Sequence, residues 1–268
     1  MSAERLGFIG AGNMAGAILE GILKGGEVAP DSICMADVSR EQREDRARRF
    51  GVRVTDDNAE AVRDADWVVL AVKPQQVEEA LETAQAAFRA NQLVVSICAG
   101  VPTERLEGLV PSRVIRVMPN LPALAGAGVA AICAGRRATE ADLAHVEKRL
   151  AATGVVVRVP EGHMDAVTAL SGSGPGYVFA FMEALEAAGR EMGFSEETAR
   201  QMAIGTVRGA AELAMQSAET PAEWRRRVSS KGGTTLAGLA AMEEGGFTAA
   251  IRAGVFAARD RSAELAKG

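Results

Sequence analysis

Two short runs of hydroxyl residues and glycines carry the most suggestive chemistry in this chain. They are Leu170-Ser171-Gly172-Ser173-Gly174-Pro175 and, further on, Val228-Ser229-Ser230-Lys231-Gly232-Gly233-Thr234-Thr235. Glycines there expose backbone N–H groups, and each Ser or Thr adds a hydroxyl that donates or accepts. Both runs lie between stretches of helical pattern. A helix that begins after such a loop offers unpaired N–H groups and the positive end of its dipole to an anion. Two such loops are suited to hold a small carboxylate.

The N-terminus carries a second kind of site, Gly10-Ala11-Gly12-Asn13-Met14-Ala15. A Gly-x-Gly-x-x-Ala run is weak evidence alone. Here it follows a strand pattern directly and opens a helix, and Asp37 stands at the end of the next strand, the arrangement of a dinucleotide site. Gly10 allows the tight turn, Gly12 lets backbone approach a pyrophosphate, and Ala15 permits close helix–strand contact. A carboxylate at Asp37 suits an adenosine ribose diol and repels a 2′-phosphate. Arg40 and Arg43 just beyond are either receivers of such a phosphate or exposed helix charges. NADH is therefore expected to be accepted, with NADPH left open. Ala71-Val72-Lys73-Pro74 and Cys98-Ala99-Gly100 end two further strand patterns. In an open parallel sheet such carboxyl ends border the ligand crevice, which places Lys73 for cofactor contact. Together these features suggest a reductase acting on a small acid.

Strand patterns fall at residues 5–9, 32–36, 52–54, 67–72 and 93–97, with helical stretches between them. This alternation is the signature of a parallel sheet with right-handed crossovers. Further strands are expected at 114–118, 128–133 and 155–159. After Pro160 the pattern becomes helical, over 163–191 (interrupted by the Ser-Gly-Ser-Gly-Pro loop) and 195–217, then from Thr220, from Thr235 to Glu244 and from Thr248 to Lys267. Ser195 followed by Glu196 and Glu197 reads as a helix start. Thr220-Pro221-Ala222-Glu223 reads as a capping box with proline in the first turn. The fold class is α/β: a Rossmann-like, mostly parallel sheet domain over 1–160, then an all-helical domain over 161–268. About a hundred residues of helix with few aromatics make a thin core. A homo-oligomer whose interface is built largely by residues 165–268 is the expected remedy.

The chain has 268 residues, 48% hydrophobic and 4% aromatic, with a net charge of -5 from 30 basic and 35 acidic residues. The interspersed charges argue against a nucleic-acid binder, which would show a basic face. Arg225-Arg226-Arg227 reads as a solvated helix end. Cys34, Cys98 and Cys133 all fall in apolar runs that read as strands. An odd count without CxxC spacing indicates buried, reduced thiols and a cytoplasmic protein. No segment approaches the ~20 apolar residues that cross a bilayer. His145 is expected on an exposed helix face and His163 at the domain junction in a capping or packing role. No cluster of His, Cys and carboxylates has metal-ligand spacing.

Phe8-Ile9-Gly10-Ala11-Gly12-Asn13-Met14-Ala15, Ala71-Val72-Lys73-Pro74, Arg116-Val117-Met118-Pro119-Asn120, Ala169 through Pro175, and Val228-Ser229-Ser230 with Gly232-Gly233-Thr234-Thr235 together resemble pyrroline-5-carboxylate reductase. The likeness runs through nearly the whole chain in order and spacing. It implies hydride transfer from NADPH or NADH to the imine carbon of 1-pyrroline-5-carboxylate, giving L-proline in the last step of proline biosynthesis. It also implies a Rossmann domain followed by a helical dimerisation domain, a homodimer able to assemble to a decamer, and an active site shared between subunits. By the same likeness Ser229, Ser230, Gly232, Gly233 and Thr234 hold the substrate carboxylate at a helix start. Thr235 is the catalytic candidate, its hydroxyl near the substrate nitrogen. Ser171, with Gly172 through Pro175, shapes the wall beside the nicotinamide, and Asn58 joins the cofactor-binding set.

The chain departs from that family in places. Lys231 stands where proline is usual, Arg227 where asparagine is common, Leu121 where threonine is common, and Gly176 where alanine precedes Tyr177. Lys231 and Arg227 are what encourages a second reading, reduction of another small cyclic imine acid or a keto acid. A dinucleotide-binding sensor without catalysis is a third. β-Hydroxyacid dehydrogenases of similar layout use a lysine in the second domain, and residues 161–230 contain none.

Overall fold

The computed structural model describes residues 4–265. Its chain forms two compact units, one running up to Ser173 and taking in the residues from Ala258 onward, the other spanning Gly174–Ala257.

The first unit is built on eight strands: β1 Leu6–Ile9, β2 Ile33–Ala36, β3 Arg53–Thr55, β4 Trp67–Leu70, β5 Leu93–Ser96, β6 Arg113–Met118, β7 Gly128–Ala134 and β8 Gly154–Arg158. They make one sheet in the order β3-β2-β1-β4-β5-β6-β7-β8. All pairs are parallel except β6 with β7. Helices α1 Asn13–Lys24, α2 Arg40–Phe50, α3 Asn58–Arg63, α4 Val77–Glu82, α5 Thr103–Leu109 and α6 Glu140–Leu150 lie between the strands in sequence. Successive side chains of a strand point to opposite faces, and both faces here are covered. Phe8, Trp67, Val69, Val95, Ile115 and Val117 join one core with Ile18, Leu19 and Ile22 of α1. Their neighbours Ile9, Val68, Leu70, Val94 and Val114 join a second core with Val77, Leu81 and Leu106. Continuous apolar strand runs are the consequence, as the sequence shows.

The strand order reverses direction between β1, which leads outward to β2 and β3, and β4 on its other side. That gap is the topological switch point where an open α/β sheet takes its ligand at the carboxyl ends of the strands.

From Met164 the chain is helical: α7 Met164–Val167, a π turn over Thr168–Gly172, α8 Gly174–Glu191, α9 Glu196–Met215, α10 Pro221–Arg227, α11 Thr234–Glu244 and α12 Phe247–Leu265. Ser195 caps α9 by accepting from Thr198 N–H at 3.2 Å, and Thr220 with Glu223 forms the expected capping box. In the second unit the fully buried residues are Gly189, Ala199 and Ala203. A Cβ at Gly189 would lie 3.0 Å from that of Ala199, so α8 and α9 meet through small side chains. Val178, Phe179, Met202, Ile204 and Ile251 remain exposed.

Several expectations need correction. The Ser-Gly-Ser-Gly-Pro stretch is not a loop: Ser171 and Gly172 belong to the π turn, and α8 starts at Gly174. Cys34 and Cys133 lie in β2 and β7, but Cys98 follows the end of β5. All three are buried free thiols. His145 is half-buried rather than exposed, because its ring sits edge-on to Trp67 at 5.7 Å while Nε2 meets Glu4 Oε1 at 2.9 Å. No helix among the described residues is long and apolar enough to cross a membrane.

Candidate active site

The glycine loop takes its shape from contacts on three sides. Gly10 has φ +99°, and a Cβ there would meet the Ala71 carbonyl oxygen at 2.6 Å, so both conformation and space demand glycine. Its N–H donates to Ala36 O at 2.8 Å, tying the loop to the end of β2. The Ala11 N–H donates to Asp37 Oδ2 at 2.7 Å, and the Ala11 carbonyl accepts from Arg46 Nε at 2.9 Å. Gly12 is the N-cap of α1, whose first turn has neither a side-chain cap nor an acidic residue. A Cβ on Gly12 would meet nothing within 4 Å, and Gly12 lines the cleft above the loop. The bare helix end faces open space of the kind a pyrophosphate occupies.

That cleft has a volume of about 800 Å³. Of the predicted cofactor residues, Gly10, Gly12, Asp37, Asn58, Ala71, Val72 and Lys73 line it. Ala11 is buried beneath it, Asn13 and Met14 form the first turn of α1, and Pro74 begins the 3-10 turn that follows Lys73. Cys98, Ala99 and Gly100 do not line it. The Cys98 thiol donates to Leu70 O at 3.5 Å and to Val72 O at 3.3 Å, and burial pushes its pKa up to about 11. It braces the end of β4 from below. Asn58 donates from Nδ2 to Thr83 Oγ1 at 3.0 Å and to Ala80 O at 3.3 Å, linking α3 to α4.

The charges around the cleft decide what it favours. Asp37 accepts a second backbone N–H, from Ser39 at 2.8 Å, so its carboxylate is held by both the glycine loop and the start of α2. Arg43 donates from Nη1 to Asp37 O at 2.6 Å and to Val38 O at 3.2 Å, and its Nη2 lies 3.6 Å from Asp56. Arg40 pairs with Glu44 at 2.6 Å. Neither arginine is without a partner here. Asp37, Asp56, Asp57 and Glu79 line the cleft with Lys73 as the basic residue among them. Sequence reading missed Arg46 and Gly16. A Cβ at Gly16 would meet the Arg46 Cζ at 2.9 Å, so the glycine is the seat of the guanidinium.

In the second unit, the Ser229–Thr235 segment joins α10 to α11. Ser229 Oγ donates to Arg225 O at 2.7 Å. Gly232 turns the chain at φ +74°. Gly233 is the N-cap of α11, donates to Ser230 O at 2.9 Å, and lies so close to Ser230 that a Cβ would sit 2.5 Å from its hydroxyl. No side chain caps α11 and no acidic residue enters its first turn. Ser230, Lys231, Gly232, Thr234 and Thr235 are exposed and Ser229 is half-buried. The result is an open cradle of N–H groups and hydroxyls with a lysine beside it. Arg227 is turned back along its own helix, 5.2 Å over the Trp224 ring, and pairs with Glu219 just before that helix starts.

Ser171 belongs to the first unit. Its hydroxyl donates to Val167 O at 3.1 Å, and its carbonyl accepts from Asn120 Nδ2 at 3.0 Å. Thus the structure gathers the glycine loop, Asp37, Asn58 and Ala71–Lys73 around one cleft, and gathers Ser229–Thr235 around one helix start in the other unit.

Residues 161–265 match the model described as pyrroline-5-carboxylate reductase dimerisation, and residues 5–100 match that described as NADP oxidoreductase, coenzyme F420-dependent. A pyrroline-5-carboxylate reductase of Pseudomonas aeruginosa is 42% identical over 100% of this chain and 98% of its own length. One of Methanosarcina acetivorans is 40% identical over 100% of both. Among solved structures, the reductase of Coxiella burnetii superposes with a TM-score of 0.92 at 34% identity, covering 98% of this chain and 99% of its own. That of Plasmodium falciparum, solved with NADP bound, has a TM-score of 0.88 at 28% identity and covers 99% of both. Curated relatives alike from end to end at this identity leave one assignment: the chain belongs to the pyrroline-5-carboxylate reductase family.

Proposed function

We propose that this protein reduces 1-pyrroline-5-carboxylate to L-proline at the expense of a reduced nicotinamide dinucleotide, the closing step of proline biosynthesis. The observation that carries the reading is likeness to such reductases along the entire chain, with the glycine-loop cleft and the Ser229–Thr235 cradle both inside the matched length. The cleft suits the cofactor. Gly12 leaves room for a pyrophosphate at the bare end of α1, and Asp37 stands at the end of β2 where a ribose diol would lie. NADP in the Plasmodium falciparum neighbour supports NADPH as a donor, and the acidic rim with its engaged arginines supports NADH.

A bound nicotinamide supplies the hydride that adds to the C=N carbon. The π pair of that bond moves onto nitrogen, which holds the proton gained from solvent. The chain's own task is orientation. Ser229, Ser230, Gly232, Gly233 and Thr234 grip the carboxylate with hydroxyls and the uncapped N–H groups of α11, a natural anion site. Lys231 adds positive charge beside it. The Thr235 hydroxyl hydrogen-bonds the ring nitrogen and relays its proton. Ser171 walls the ring, while Asn13, Met14 and Ala71–Pro74 line the dinucleotide path and Cys98 braces the strand end behind Val72. Residues 161–268 serve as the dimerisation and substrate-binding domain and 1–160 as the dinucleotide domain. The apolar side chains exposed on the second unit, Phe179 and Ile204 among them, are covered by a second copy. Five such dimers form a decamer, and the enzyme works in the cytoplasm.

The test is an assay of purified protein with pyrroline-5-carboxylate and either NADH or NADPH, following loss of reduced-cofactor absorbance. Turnover with proline as product is expected. No turnover with either cofactor, or turnover of a keto acid instead, overturns the reading.

A further inference from the structure

The carbonyl of Ser171 has lost its helical partner for a covalent reason. In a helix that oxygen accepts from the N–H four residues on, and here that residue is Pro175, which has no N–H. The chain widens into the π turn Thr168–Gly172, with Ser173 N–H reaching back to Thr168 O at 2.7 Å. Such turns concentrate at functional sites. The vacancy at Ser171 is filled from the sheet. Asn120, buried at 7% exposure just past the end of β6, donates from Nδ2 to Ser171 O at 3.0 Å and accepts from Val129 N–H at 2.8 Å on Oδ1. The side-chain amide supplies both a donor for one backbone group and an acceptor for the other. Met118 works at the same place: a Cβ on Gly172 would lie 2.7 Å from its Cε, so the turn rests directly on β6.

We infer that Asn120 is a positioning residue for imine reduction: its amide replaces the backbone donor that Pro175 removes and so fixes the Ser171–Gly172 turn against the sheet. The inference deepens the function proposed above and rests on Ser171 walling the substrate ring. Two motifs far apart in the chain then form one device. Pro175 creates an unpaired carbonyl, and Asn120 captures it and thereby sets the height of the turn above the end of β6.

The experiment is a cycle of wild type, Asn120→Asp, Pro175→Ala and the double variant, each measured for kcat, for KM of NADH and of the imine acid, and for Tm. Asn120→Asp still accepts from Val129 N–H but has no donor for Ser171 O. It should lower kcat about tenfold, the scale of a misplaced reacting partner, with KM for NADH unchanged. In the double variant the new N–H at position 175 can bond Ser171 O, so kcat should recover well above that of Asn120→Asp alone. A wild-type kcat in Asn120→Asp, a loss shared equally with NADH binding, or a double variant no better than the single one overturns the inference. Where Asn120→Asp does not fold, recovery of soluble protein and Tm by Pro175→Ala reads the same coupling, and its absence is fatal to it. The Tm cycle needs no substrate, so it stands apart from a failure of the wild type to turn over the imine acid.

Discussion

Arg46 Nε donates to the carbonyl of Ala11 at 2.9 Å, from the middle of α2 to the turn of the glycine loop. The same residue gives its N–H to Asp37, so Ala11 is gripped from both ends. Arg46 is only 4% exposed, with Nη1 on Asp45 at 2.9 Å and Nη2 on Gln42 at 3.3 Å. Truncation would leave a buried carbonyl unpaired. A hydrogen bond from a charged group contributes about 1.5–3 kcal/mol, and about 1.4 kcal/mol is tenfold in affinity.

Arg46→Lys keeps the charge but loses the planar fork that reaches Ala11, Asp45 and Gln42 together. The expected outcome is a dinucleotide Kd raised about tenfold or more, with the KM of the imine acid little altered. Titration by nicotinamide fluorescence measures it. A wild-type Kd in a folded variant would show that the loop keeps its shape without Arg46.

Asp37 should favour NADH through a mechanism visible in its bonds. Two backbone N–H groups fix the carboxylate at the wall of the cleft, while Arg43 spends its donors on Asp37 O, Val38 O and Asp56. A 2′-phosphate entering there would meet negative charge without a free guanidinium. Asp37→Ser should shift the ratio of kcat/KM toward NADPH by about tenfold, a difference near 1.4 kcal/mol, while lowering kcat/KM for NADH. The wild type preferring NADPH by a wide margin would refute the argument.

The contrast between Asp37 and Arg46 shows what could be read from sequence. Asp37 was legible because its distance from the glycines is set by one strand and one helix, a local geometry that repeats wherever this unit occurs. Arg46 was not, since a charged residue inside a run rich in Arg and Glu looks like a solvated face. Only the space left by Gly16 reveals its burial. Ser171–Gly172 failed for the opposite reason. Serine, glycine and proline punctuate helices locally, yet contacts with Met118 and Asn120 carry the helix through as a π turn. Cys98 reads as the end of a strand bordering the crevice, but it lies past the end of β5 and its thiol donates to carbonyls of the neighbouring strand end.

Thr235 lies exposed in the first turn of α11, with no side chain capping that helix. If its hydroxyl meets the substrate nitrogen, Thr235→Ala should reduce kcat by about 10²-fold, the scale of one positioned proton-transfer group. Thr235→Ser should retain much of the rate because it keeps the oxygen. Steady-state kinetics separate this from a structural effect, since the KM of NADH, whose cleft lies in the other unit, should not move. Equal rates for Thr235→Ala and wild type would remove Thr235 from catalysis.

Cys98 gives the protein a specific alkaline weakness. Burial, opposed in part by its hydrogen bonds, raises the thiol from 9.0 to about 11. The folded state thus keeps its proton at pH values where the unfolded chain has released it. Stability from this group is complete below pH 9 and falls as pH climbs toward 11, because the unfolded state then binds fewer protons than the native one. The loss across that window is on the order of 2–3 kcal/mol. Urea unfolding in buffers spanning the window should show the decline. Cys98→Val, which cannot ionise, should flatten the slope while lowering stability near neutrality through the bonds lost to Leu70 O and Val72 O. Native protein at pH 8 should also resist iodoacetamide at Cys98 until denaturant is added. Rapid labelling of the folded enzyme, or an identical alkaline slope in the valine variant, would mean that the thiol is not the buried, proton-bearing strut its contacts describe.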